Sequence, residues 1–303
     1  MPNPKVDNLN HRFAIRDNLI FKEGTNELIY AEIKNEAASA QIYLHGAHIT
    51  SFTPLGEDPV IFLSSLSQIE PGKAIRGGIP ISWPWFADHP TDKTKPAHGF
   101  ARTSLWEVRE TQNISKDKTV ITLGLRDNEE TQKLWDYSFD LELAISIGKE
   151  LNSELTMTNS GKEDFTITSA FHSYYIVGDV NDIAIYGLED TNYIDKVDNF
   201  SMKLQDSPVK IADETDRIYL DTTSDCVIED PSLNRQIRIR KSGSSSTVVW
   251  NPWMDGAKKM KDLGDLDYLN FVCVETTNAG EDRIKLAPDK QHKLELNVIV
   301  KNP

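Results

Sequence analysis

Apolar and polar positions alternate with a period of two along much of this chain. In the run DLELAISI the apolar residues Leu141, Leu143, Ile145 and Ile147 are separated by polar or small ones. Gly148-Lys149 then supplies a turn, and the alternation resumes through Leu155 and Met157 in ELTMTN. That pattern predicts a β-hairpin with one buried face. Similar runs occur in TVITLGLRD, RQIRIRK, STVVW, FVCVE and KLELNVIV, punctuated by turn sequences such as Asn-Ser-Gly-Lys, Lys-Ser-Gly and Pro-Asp. Helical signals are weak, with one or two turns expected near residues 258–266. Many short strands joined by close turns predict an all-β fold, a large antiparallel β-sandwich with few short helices. No linker, low-complexity tract or internal repeat divides the chain, so one domain is expected over residues 1–303.

Composition narrows the class. The chain is 39% hydrophobic and 26% charged, as in globular proteins. No run of about 18 apolar residues suggests a transmembrane helix, and the N-terminus MPNPKVDNLNHRF lacks the apolar core of a signal peptide. A cytoplasmic monomer that contacts no membrane is therefore the expectation. The formal charge of −14 is opposite in sign to a nucleic-acid footprint, so no nucleic-acid partner is expected. A few local arginines can still hold a small anion. Cys226 and Cys273 are far apart and form no CxxC pair, which fits two reduced thiols.

Four segments stand out from a plain β pattern. In AIRGGIPISWPWF, Gly77-Gly78 allows positive φ or a close backbone approach, and Arg76 beside it could clamp an anion. Pro84 between Trp83 and Trp85 resists a strand interior, so the segment is either a rigid aromatic turn or a pocket wall. In AHGFARTSLWEV, His98 and Arg102 are four apart and can face one space, although a lone histidine in a turn is often structural. In SAFHSYYIVGD, His172 lies between Phe171 and the Tyr174-Tyr175 pair, either as a half-buried structural histidine or as a proton carrier. In FVCVETTNAG, Glu275 ends an apolar run; if buried, it would have a raised pKa suited to a base.

Taken in order, GGIPISWPWF, HGFAR followed by SLWE, FHSYYIVGD, ETDRIY, WNPW and VCVE resemble the hexose-6-phosphate mutarotases of the aldose 1-epimerase superfamily. The likeness runs from YLHGAHITSF to the final strand. It implies a mutarotase-like sandwich with a cleft across it, catalysis without cofactor or metal, and a small sugar phosphate as partner. Residue by residue, the resemblance implies Glu275 as general base, His172 as general acid and His98 as a second histidine near the ring oxygen. It likewise implies substrate contacts from Asp216, Arg76 and Arg102. Ala97 stands where some members carry glutamine, and Tyr175 where phenylalanine is common. Both departures bear on substrate preference rather than on the reaction.

The implied reaction exchanges the α and β anomers of a hexose 6-phosphate, glucose 6-phosphate foremost. The C1 hydroxyl loses a proton, the ring oxygen gains one, and the opened aldehyde rotates and closes on its other face. An ionised Glu275 and a protonated His172 would suffice, with a nearby carboxylate such as Asp216 favouring the imidazolium. Three alternatives share parts of this pattern. A neutral-aldose mutarotase would need no phosphate contacts, and a carbohydrate-binding module would need no acid–base pair. A metal-dependent isomerase would need His45 and His48 of HGAH on one ion, yet residues three apart on a strand face opposite sides.

Overall fold

The computed structural model of the chain describes residues 3–302. Strand makes up 47% of it and helix 11%, so the fold is all-β. The alternating runs form an eight-stranded antiparallel sheet. Its order is Ala184–Tyr186, Cys226–Asp230, Arg235–Ser242, Gln291–Lys301, Glu150–Asn159, Phe139–Ile147, Lys118–Arg126 and Glu107–Ser115. The predicted hairpin is present, with Leu141 opposite Met157 and Leu143 opposite Leu155. Leu141, Leu143, Ile145 and Ile147 are all buried, as period-two burial requires.

A second eight-stranded sheet packs its inner face on the first through a shared apolar core, to which Val249, Val272, Val274 and Phe171 contribute. Its strands run in the order Ser201–Gln205, Thr191–Asp195, Thr215–Tyr219, Ser246–Asn251, Phe271–Asn278, Ser169–Phe171 and Ile81–Ser82. Tyr174–Ile176 also pairs with Phe271–Asn278. A four-stranded sheet, from Leu19–Glu23 to His48–Pro54, adds Phe21, Ile33, Ile42 and Phe52 to the same core, and a two-stranded sheet pairs Phe165–Ile167 with Ile284–Leu286.

The helices are short. The helix Trp253–Lys259 overlaps the turns expected near residues 258–266 only at its last two residues, and residues 260–266 are non-helical, mostly turns and bends; Asn251 Oδ1 accepts from the Trp253 amide ahead of the helix. The helix Pro4–Phe13 was not expected. No side chain in it is fully buried, but Val6, Leu9 and Phe13 form a short apolar stripe at i, i+3 and i+7, with Leu9 and Phe13 packed on the core, and its start follows local rules. Asn3 caps it by accepting from the Lys5 amide, and Pro4 occupies a first-turn position where its missing N–H costs nothing.

Among the described residues no helix is long and apolar enough to cross a membrane.

Candidate active site

The second sheet places His172 and Glu275 side by side through its register. Phe171 pairs with Thr276 and Tyr174 with Cys273, so the two residues between them, His172 and Ser173, run past Glu275 and Val274. The amide of His172 leaves the ladder to donate to the Pro80 carbonyl. Its ring stacks on Tyr174 at 5.0 Å between centroids and takes the edge of Trp250. His172 Nδ1 then lies 3.3 Å from Glu275 Oε1. Glu275 is 1% exposed on a strand in which every residue is buried.

Burial dominates the electrostatics. It pushes the Glu275 carboxyl well above the ordinary range, with Asp216 adding to the shift. It pushes His172 well below the ordinary imidazole value, helped by Arg102 and Arg76. The expectation that a neighbouring carboxylate would favour the imidazolium is thus not met. Desolvation and two guanidinium charges outweigh it. The opposed shifts widen the pH range over which the pair holds a single proton, and the two groups titrate as a unit.

His98 sits at φ +62° in a turn. Its following residue must be glycine: at φ +70°, a Cβ on Gly99 would lie 1.9 Å from the Trp83 carbonyl oxygen. Ser82 Oγ lies 3.0 Å from His98 Nδ1, and the Ala87 amide approaches the same nitrogen. Two donors on Nδ1 place the ring proton on Nε2, the nitrogen left for a ligand. Burial and then Arg102 hold His98 well below its usual pKa, hence neutral. Its centroid is 5.3 Å from that of His172.

Arg76, His98, Arg102, His172, Asp216 and Glu275 all line one cavity of about 320 Å³. The structure therefore gathers every site residue expected from the sequence. Arg76 donates to Tyr174 Oη at 3.1 Å and lies 3.2 Å from Asp262. Asp216 accepts from Lys196 at 2.5 Å. Arg102 donates through Nη2 to the Ala97 carbonyl at 2.8 Å, while its buried Nε has no partner. So two of the three cations have carboxylate partners, and among the described residues Arg102 faces the cavity without one.

Lys196, Trp250 and Asp262 were not singled out. Lys196 reaches Asp216 only because Thr191–Asp195 and Thr215–Tyr219 pair, and no local pattern reports that. Trp250 lies in the WNPW run that carried the resemblance, and that was its one signal. Gly77-Gly78 does adopt positive φ, but its close neighbours are protein. A Cβ on Gly78 would meet His48 Nε2 at 2.1 Å, so the pair leaves no room for a phosphate.

His45 and His48 do not form a metal pair, for a reason other than strand alternation. The strand begins only at His48, and both rings reach the same loop. His45 Nε2 donates to the Lys73 carbonyl at 2.7 Å and His48 Nε2 to the Gly77 carbonyl at 2.8 Å. Burial pushes His48 down to about 3, so it stays neutral. The two histidines clamp the loop that carries Arg76. Wider grooves exist, including one of about 810 Å³ beside the helix Pro4–Phe13, but the histidine lining it, His45, is engaged with the Lys73 carbonyl.

The Aldose 1-epimerase family matches residues 30–298. An Escherichia coli (strain K12) protein named "Putative glucose-6-phosphate 1-epimerase" is 36% identical over 276 residues, 91% of each chain. A Cenchrus ciliaris protein of the same name is 35% identical, covering 83% of this chain and 78% of its own. The crystal structure of "a putative mutarotase (YeaD)" from Salmonella typhimurium superposes with a TM-score of 0.90 at 32% identity, over 96% of both chains. The galactose 1-epimerase of Lactobacillus acidophilus NCFM gives a TM-score of 0.70 at 12% identity, over 95% of this chain and 99% of its own; that likeness shows the fold alone.

Proposed function

Given that this chain belongs to the aldose 1-epimerase family, we propose that it interconverts the α and β anomers of hexose 6-phosphates, with glucose 6-phosphate the preferred substrate. The observation that carries the proposal is Arg102. A partly buried guanidinium whose Nε is fully buried, with no carboxylate in ion-pair contact among the described residues, calls for an anion, because a charge removed from water without a partner is costly. A sugar phosphate supplies that anion at one end while its hemiacetal reaches the Glu275–His172 pair at the other. Arg76 adds a second cation to the same wall. The E. coli and C. ciliaris relatives carry the same substrate in their names.

The chemistry follows from the pair. With His172 Nδ1 turned to Glu275, Nε2 is the nitrogen left for the ring oxygen. Glu275 takes the proton of the C1 hydroxyl as His172 gives one to the ring oxygen, and the C1–O5 bond breaks. Rotation about C1–C2 and the reverse transfers close the other anomer. A phosphate dianion beside Arg102 and Arg76 offsets the charges that depress His172, and so moves the shared proton towards the imidazole. His98, neutral with Nε2–H free, is a hydrogen-bond donor to the same sugar. Asp216, paired with Lys196, is the acceptor for a ring hydroxyl.

The deciding measurement is anomer exchange of glucose 6-phosphate and of glucose, followed by NMR on the same preparation. Faster exchange of the phosphate is expected. Equal kcat/KM on both sugars would transfer the assignment to a neutral-aldose mutarotase, and tight binding of either without turnover would transfer it to a carbohydrate-binding module.

A further inference from the structure

We infer that His172, Cys273 and Glu275 form a binding site for a thiophilic divalent cation such as Zn²⁺, and that occupation of this site shuts the enzyme off. One donor atom from each residue lies within 4.8 Å of the other two, and all three residues are buried. The strand period explains the cluster. Cys273 and Glu275 are two apart on Phe271–Asn278 and so share a face, while the register brings His172 alongside. Two of the donors are poorly satisfied: buried His172 Nδ1 faces only Glu275 Oε1 at 3.3 Å, outside hydrogen-bond geometry, and buried Glu275 Oε2 has no partner among the described residues. Unpaired buried polar atoms are uncommon, and here two of them converge beside a thiol.

The donor set selects the ion. One imidazole nitrogen, one sulfur and one carboxylate oxygen suit Zn²⁺ or Co²⁺, whereas Mg²⁺ and Ca²⁺ favour oxygen throughout. Tetrahedral zinc needs its donors about 2.0–2.3 Å from the metal, so modest side-chain rotations would draw the cluster in. Three protein ligands leave a fourth position for water on the cavity side, where His172 and Glu275 line the wall. On coordination, the thiol and the His172–Glu275 pair each release a proton to solvent. One divalent ion thereby replaces two protons, and the local net charge is unchanged, so Arg102 and Arg76 do not oppose it. The bound ion occupies the Glu275 carboxylate and locks the His172 ring, which prevents both proton transfers. The inhibition rests on the acid–base roles proposed above; the coordination does not.

The test uses metal-stripped, chelator-free protein. Titration with Co²⁺ should give one equivalent of tetrahedral d–d absorption with a thiolate-to-cobalt charge-transfer band, displaced by Zn²⁺. The band should vanish in Cys273→Ser and persist in Cys226→Ser, whose thiol lies outside the cluster. Zn²⁺ should slow anomer exchange in the wild type. Cys273→Ser, active when metal-free, should need about 100-fold more zinc for the same effect. Absence of the charge-transfer band in the wild type, or its survival in Cys273→Ser, overturns the site. A band with undiminished exchange overturns the inhibition. Should Cys273→Ser not fold, X-ray absorption of the wild type with one equivalent of zinc decides: one sulfur near about 2.3 Å supports the site, and an all-nitrogen-and-oxygen shell excludes it. Inactivity on glucose 6-phosphate with an intact cobalt spectrum would reject the proposed function and leave the metal site standing.

Discussion

The two large sheets are built from the same hydrogen-bond pattern and do different work. From Glu107–Ser115 across to Arg235–Ser242, neighbouring strands of the first sheet run 8 to 11 residues. The hairpin at its centre buries Leu143 and Leu155 on one face with polar residues between. The second sheet uses strands as short as two or three residues beside Phe271–Asn278, and it breaks its ladder at His172-Ser173. Long uninterrupted pairing stores stability. Broken pairing turns side chains such as His172 towards a cavity and leaves polar groups unsatisfied, which costs stability and creates reactivity.

That contrast can be broken most severely at the pair itself. Glu275→Gln and His172→Ala should each lower catalysed exchange of glucose 6-phosphate by about 10²–10⁴-fold, with circular dichroism and Tm near wild type. Leu143→Ala in the first sheet should do the reverse. It should cost about 2–5 kcal/mol in denaturant unfolding, yet leave kcat of the folded fraction unchanged. Near-normal exchange in folded Glu275→Gln would remove Glu275 as the base and dissolve the division of labour.

Next in size are the arginines. Arg102→Ala should raise KM for glucose 6-phosphate by about 10–100-fold and barely affect glucose, since bonds to charged groups are the strong ones. Lysine at 102 should recover only part, having no planar fork. Arg76→Ala should cost less, because Asp262 already pairs with that guanidinium. Equal losses on both sugars would make the arginines structural.

The pH profile sharpens the comparison further. His172 accepts a second proton for the pair only below its depressed pKa, and Glu275 gives up the last one only above its raised pKa. A single proton is held between those limits, so kcat/KM should be highest between them and fall on both sides. Arg102 depresses both values. Arg102→Ala should therefore move both limbs to higher pH, and a profile whose limbs stay in place would show that Arg102 does not act on the pair. The smallest expected effect is that of chelation: exhaustive removal of divalent ions should leave exchange undiminished. Loss of activity restored by one added ion would overturn the proton-transfer reading.

The same contrast explains what could be read in advance. Period-two alternation made the first sheet legible, because most inward positions, such as Leu141 and Ile145, are apolar, with Ser153 and Asn159 as polar exceptions. The helix Pro4–Phe13 is marked only by Asn3, Pro4 and a three-residue stripe, Val6, Leu9 and Phe13, which is short beside the long alternating strands. The site was legible where short motifs are crowded with unusual residues, as at His98, Arg102, His172 and Glu275. It was not legible where its geometry depends on strand pairing. Lys196 meets Asp216 across two strands, and Asp262 meets Arg76 from a loop nearly two hundred residues away, with no local signature. Nor does a motif carry protonation. Burial, rather than a neighbouring charge, sets the direction for both His172 and Glu275.

Every residue of Phe271–Asn278 is buried, and the strand is paired on both sides. In a hydrogen-exchange experiment its amides should therefore be among the last to take up deuterium, since only opening of the whole fold exposes them. Arg102 sits instead on a three-residue 3-10 turn, Ala101–Thr103, whose amides can exchange through local fluctuation. The group that moves the proton is thus held on a clock of global unfolding, while the group that meets the anion keeps a faster one. Binding can then adjust at the anion end without disturbing the aim of the carboxylate.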